Sequence, residues 1–208
     1  PIDSIANTAF SFVNAGSGFG RQFPRKLTNN GTGRNVGLEL TLLRNFSNHY
    51  YYMINASVFD AKYKGSDQTL RNTTFNGRYL ANLLFAKEFV INAKQTINFG
   101  GKISFAGGRW YGIVDTIAST INNEVVFTDK DFNTKQFKPY FRFDLKFNYK
   151  LNARGITHEI GLDLVNVLNI KNISSLTWAP NPADPSQSPI REEYQLGRLP
   201  LFYYRIDF

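Results

Sequence analysis

The chain has no cysteine, one methionine and two histidines in 208 residues. Without thiols there is no disulfide framework, no thiolate metal site and no cysteine nucleophile. His49 and His158 fall in or beside predicted short turns, where they read as solvated turn residues. A Ser/His hydrolase would need its nucleophile and base to converge, so no catalytic residue is assigned and the chain is not read as an enzyme. Asp115, Glu124, Asp129 and Asp131 share one stretch but lack the ordered pattern of a calcium loop, so they read as a solvated acidic loop and no metal or cofactor is expected. "GSGFG" (16–20) has no helix after it and is no phosphate cradle. Long apolar runs are missing as well. Runs such as "YYYMI" are far shorter than the roughly 18 residues of a membrane helix, and no stretch carries a convincing amphipathic helical period. The formal charge is +8, but the basic residues are scattered without a block, which argues against a nucleic-acid partner. There is no signal peptide: the chain opens "PIDSIANTAF", without Met, and reads as cut at its N-terminus.

What is present is aromatic and alternating. The chain holds 19 Phe and 11 Tyr, and its period is two almost everywhere. In "FKPYFRFDLKFNYKL", Phe137, Pro139, Phe141, Phe143, Leu145, Phe147, Tyr149 and Leu151 share one face. Lys138, Tyr140, Arg142, Asp144, Lys146, Asn148 and Lys150 share the other. The same division recurs in "NVGLELTLL", "YYYMINASV", "RYLANLLFAKEF", "TINFGGKISFAG", "HEIGLDL" and "LFYYRIDF". A weaker opening strand, "AFSFVNAGSG", makes eight. Lys87, Asp60 and Lys62 break the pattern on the apolar side near strand ends, where long side chains reach water. Leu80 and Leu84 break it on the polar side.

Short connections ("RNFSNHY", "VINAKQ", "NARGIT") take turns with long ones, the longest being "NIKNISSLTWAPNPADPSQSPIREEYQ". Phe46, Tyr50, Tyr51, Phe89, Tyr149 and Phe208 fall near the short-turn ends; Trp110, Tyr111, Phe137 and Tyr140 fall near the long ones. Tight turns at one end, long loops at the other and two aromatic girdles predict an all-β, antiparallel transmembrane β-barrel embedded in outer-membrane lipids. The competing fold is a β-sandwich with an aromatic core, whose strands are usually shorter. The final strand ends on an aromatic residue. Tyr204, Ile206 and Phe208, on one face, read as the sorting signal of the barrel-assembly machinery, which works by strand addition, so the C-terminus is expected to be genuine.

The segments "GLELTLLRNFSNHYYYMINASVFDAKYKGSD", "RNTTFNGRYLANLLFAKEF", "FGGKISFAGGRWYGIVD", "EIGLDLVNVLNIKN" and "GRLPLFYYRIDF" resemble the C-terminal barrel region of TonB-dependent receptors. The likeness is to the Bacteroidota type with a carboxypeptidase-regulatory-like N-terminal domain. It runs from about Phe10 to Phe208 and rests on order and spacing rather than one motif. It implies about eight C-terminal strands of a roughly 22-stranded barrel with a plugged lumen, with residues 1–208 as a barrel portion lacking its plug domain. It also implies import of a scarce nutrient (iron chelate, vitamin or glycan), energised by the TonB complex, and a possible surface lipoprotein partner. The alternative is a stand-alone, closed eight-stranded barrel with a structural or adhesive role.

On the barrel reading, Glu39, Arg78, Lys102, Lys146, Glu159, Asp163 and Asp207 face the lumen, with Arg142, Asp144 and Arg205 as candidate plug contacts. Cross-strand ion pairing within the wall is the alternative role for these three. In the long loops, Arg109, Trp110, Tyr111 and Trp178 are the groups best able to stack on or grip a ligand. Trp110 and Tyr111 serve equally as girdle anchors.

Overall fold

The computed structural model describes residues 7–17 and 26–208. Seven long strands form one antiparallel sheet: β1 (Thr32–Ser47), β2 (Tyr50–Lys64), β4 (Tyr79–Asn92), β5 (Gln95–Ala106), β8 (Tyr140–Ala153), β9 (Ile156–Val165) and β12 (Leu199–Asp207). They lie in the order β1-β2-β4-β5-β8-β9-β12, and a short β3 (Leu70–Asn72) joins the rim beside β2. Four of the strands run 14 to 16 residues, well beyond the usual soluble length. The long connections carry their own small elements: the pair β6 (Trp110–Tyr111) and β7 (Lys135–Gln136), helix α1 (Thr116–Asn122), and the hairpin of β10 (Ile173–Trp178) and β11 (Ile190–Tyr194).

Two-residue turns close three hairpins at one end. Asn48 and His49 both take the left-handed conformation (φ 52° and 65°), and Gly155 does so at 79°. This is the hand that matches twisted strands across a tight turn. All the long connections emerge at the other end.

The register carries the alternation across the whole sheet. Leu42, Ile54, Leu83, Ile103 and Phe143 form one cross-strand row, and Phe99, Phe147, Leu162 and Phe202 another. On the opposite face, Thr41, Asn55, Asn82, Ser104 and Arg142 line up. Burial is inverted relative to a water-soluble domain. Among the described residues only Ala9 and Tyr63 are buried hydrophobic side chains, whereas Leu38 is 74% and Phe202 78% exposed. Apolar exposure on this scale, rimmed by polar ends, marks a surface that meets lipid or protein rather than water. Among the described residues no second sheet covers it, so they form no sandwich.

Two expectations need correction. The opening segment is not a strand: Phe12–Ser17 is a 3-10 helix. Its neighbourhood is tied to loops instead, with Thr74 N–H donating to Asn14 Oδ1 (2.9 Å) and Tyr63 O–H to the Ala9 carbonyl (2.9 Å). "GSGFG" lies mostly outside the described residues. The eighth strand of the sheet is β3. One short helix, α1, is capped by Asp115, whose side chain accepts from Ala118 N–H; at seven residues it is too short to carry an amphipathic period, as the sequence showed none. Finally, β1 and β12 do not pair with each other, so the closed eight-stranded barrel is not what these strands build.

Candidate functional site

The polar face of the sheet is a continuous hydrogen-bonded surface. Asn55 Nδ2 donates to Glu39 Oε1 (2.6 Å) and Thr41 Oγ1 (3.0 Å), and Ser104 Oγ donates to Asn82 Oδ1 (2.9 Å). Arg142 grips Asp144 within its own strand at 2.9 Å, and Asp144 Oδ1 accepts the backbone N–H of Asn166 (2.8 Å). Lys146 pairs with Asp163 across to β9 (3.3 Å). Nearer the short turns, Glu159 is buried among donors. Its carboxylate accepts from Asn148 Nδ2 (2.9 Å), Tyr203 Oη (2.8 Å) and Arg205 Nη2 (2.8 Å). Arg205 also reaches Asp207 at 3.1 Å. Thus Arg142, Asp144 and Arg205 lie on the expected face, and each is engaged within the wall. Between these groups a hollow of about 440 Å³ opens, lined by Tyr51, Leu84, Gly100, Lys102, Asp144 and Asp163 among others. Leu84, the exception to the polar pattern, supplies an apolar spot there.

At the long-loop end, Arg109, Trp110 and Tyr111 line one cleft of about 360 Å³ together with Phe127, Phe137 and Ser174. Two of the rings are already occupied. Trp110 Nε1 donates to the Asn76 carbonyl (2.6 Å) with Arg78 over its ring, and Tyr111 stacks on Phe137 at 4.2 Å. Arg109 is the group left for chemistry. It sits half-buried with its guanidinium 5.9 Å from the centre of the Phe75 ring, and burial pushes that guanidinium below the usual arginine range. Among the described residues it has no acidic partner. Arg109 and Phe137 also line a second cleft of about 260 Å³, together with Lys138 and Tyr140. Among the described residues no acidic side chain lines either cleft, so the pair is cationic. Trp178 stands apart, paired with Ile190 in the β10–β11 hairpin, and lines neither cleft.

Sequence reasoning missed the asparagines that set these loops. Asn76 is fully buried; its side chain accepts from Ala61 N–H (3.0 Å) and donates to Asp60 and Asn72. Asn133 donates to the Asn72 carbonyl (2.8 Å). Asn172 mimics a strand peptide: its amide donates to the Phe141 carbonyl (2.8 Å) and its oxygen accepts Phe141 N–H (3.0 Å). The available signal was the Asn166–Asn169–Asn172 spacing, two members of which take positive φ. His158 lies near the start of β9, beside the 154–155 turn, and there its Nδ1 is 2.8 Å from Tyr204 Oη, a partner that sequence reasoning did not supply. Ile206 pairs with His158 in the ladder, and Phe208 is almost wholly exposed.

Among the described residues no group of His, Cys, Asp or Glu is placed to hold a metal ion, and no helix is long and apolar enough to cross a membrane. No curated protein and no solved structure matched the chain. The family model described as "TonB dependent receptor-like, beta-barrel" matches residues 3–173. That family consists of transporters of the Gram-negative outer membrane whose barrels work with a plug domain and TonB. With an inverted sheet, tight turns at one end and long loops at the other, this chain belongs to the TonB-dependent receptor-like β-barrel family.

Proposed function

We propose that the chain is the C-terminal portion of a roughly 22-stranded receptor barrel that imports a scarce nutrient. The nutrient class is an iron chelate, a vitamin or a glycan. The observation that carries the reading is the pair of clefts at the long-loop end, built around Arg109 and opening where a ligand would arrive. In this account Arg109 supplies the gripping charge, while Trp110 and Tyr111 hold the shape of the wall. Trp178 is a contact only for a ligand large enough to reach the neighbouring hairpin. Arg142, Asp144 and Arg205 present the rims of their ion pairs to the plug. Tyr204, Ile206 and Phe208 are the signal read by the assembly machinery, and their outward exposure supports that role. The Bacteroidota-type N-terminal domain and a surface lipoprotein belong to the same proposal.

The test is growth of cells lacking the protein, with each nutrient class made limiting in turn. Failure on one class is expected, with rescue by the intact protein. Growth equal to the parent strain on all three would overturn the reading. Arg109→Ala is then expected to weaken capture of the identified nutrient about tenfold, as loss of a charged hydrogen bond does.

A further inference from the structure

The β10–β11 hairpin has one guarded edge and one open edge. Among the described residues β10 and β11 pair only with each other, so each leaves a row of backbone groups outside the ladder. β11 reads "IREEY", and its three consecutive charges are a device that keeps a strand edge from pairing. β10 reads "ISSLTW", with no charge and no proline. It is the edge of β10, not one of its faces, that borders the clefts. Side chains of a strand alternate between two faces, yet the consecutive residues Ser174, Ser175 and Leu176 all line the cleft of about 360 Å³. Ser174 is a bulged residue: the register passes from Ile173↔Tyr194 to Ser175↔Glu193 and leaves it without a partner in β11. Bulges of this kind are common beside active sites. On β6, which lines the same cleft, the backbone is already used. Trp110 N–H donates to the Thr74 carbonyl (2.8 Å), and the Arg109 carbonyl accepts Phe137 N–H (3.0 Å). The open edge of β10 therefore shares its cleft with Arg109, which lacks an acidic partner among the described residues, and with the stacked rings of Tyr111 and Phe137.

We propose that this cleft holds a short extended peptide, which adds to β10 as a strand and sets its terminal carboxylate on Arg109. Backbone groups along β10 bind the peptide irrespective of its sequence. The cation selects a free carboxyl end, and the ring stack favours an apolar side chain next to it. The inference rests on the clefts being where a ligand arrives, as proposed above, and adds a peptide to the nutrient classes named there.

The full chain, purified in detergent, is titrated calorimetrically with a pentapeptide of alternating threonine and valine that ends in phenylalanine. The same peptide is supplied with an amidated C-terminus, and in two N-methylated forms that block alternate amides. The free acid is expected to bind about tenfold more tightly than the amide. In strand addition one set of amides meets β10 and the other turns away. One methylated form is therefore expected to lose about fivefold for each blocked amide, and the other to bind as the parent does. Arg109→Gln is expected to bind acid and amide alike. Equal binding of acid and amide by the unaltered chain overturns the proposal. So does an equal effect of both methylated forms, which means a pocket for side chains only. Binding of none of the peptides overturns it too and leaves the nutrient reading to the growth test. Equal growth on all three nutrients with peptide binding retained overturns the nutrient classes and supports the peptide.

Discussion

Gly161 and Tyr203 show how single positions hold this wall together. The Tyr203 ring lies across Gly161, where any Cβ would collide with it. The ring is fixed from two further sides, by its hydroxyl on Glu159 and by Lys146 Nζ over its face at 4.8 Å. An aromatic ring covering a strand glycine restores the packing that glycine lacks. Gly161→Ala therefore forces the ring off its partners and is expected to cost about 1–3 kcal/mol, the usual penalty for overpacking; guanidinium unfolding in detergent measures it. Asn76 makes the same point with polar atoms. Asn76→Ala leaves the Ala61 N–H and the Asn72 side chain short of a partner in a buried place, at a cost of about 1–3 kcal/mol. The readout is earlier proteolytic cutting within residues 65–78.

At the scale of elements, the long connections are tied both to the rim of the sheet and to one another. Arg71 is nearly buried; it takes Asp67 at 2.7 Å and also donates to the Asp129 carbonyl (2.9 Å) of the next long connection. The Arg71 guanidinium beside Asp67 holds that carboxyl below its ordinary value of 3.8. A depressed carboxylate contributes stability above its unfolded value and loses it as pH falls through the folded one. Protection of the 65–72 amides from hydrogen exchange is therefore expected to be flat from pH 8 to 5 and to fall only below 3.8. Asp67→Asn should abolish that acid step; a step that persists in the variant would assign it elsewhere. The helix α1 was invisible in the sequence for a related reason. It has one N-cap and two turns, and its Ser119 hydroxyl is spent on Val126, so its signal is local bonding rather than amphipathic period.

For the whole molecule the decisive property is which face meets lipid. Lys102 and Ile103 are sequence neighbours on opposite faces, with Ile103 in the row of Leu83 and Phe143. Ile103→Arg is expected to destabilise the barrel by roughly 2–4 kcal/mol, as a cation near the midplane does, while Lys102→Arg is near neutral. Refolding into phospholipid vesicles under a denaturant titration separates the two. Equal tolerance would show that the apolar face is not lipid-facing. The three rim exceptions fit this frame: Lys87 lies over Phe89, and Asp60 and Lys62 pair with each other, so each meets the boundary with its charge satisfied or near water.

The amino-acid order by itself determined the seven long strands, their two faces, the turns and the end that carries the loops. Each is a local property, since successive side chains in a strand point to opposite sides whatever the partner. Arg142, Asp144 and Arg205 could be assigned to the polar face on that ground alone. Only the tertiary structure decided what those residues do there, because their partners come from other strands or from loop backbone. It also decided that Trp110 and Tyr111 are braced while Arg109 has no acidic partner among the described residues, that Trp178 lies elsewhere, and that the opening segment docks on Tyr63 instead of extending the sheet. Asn133 meets Asn72 across 61 residues of chain. Contacts of that kind leave no periodic trace, since they arise from where folded segments meet rather than from the residues beside them.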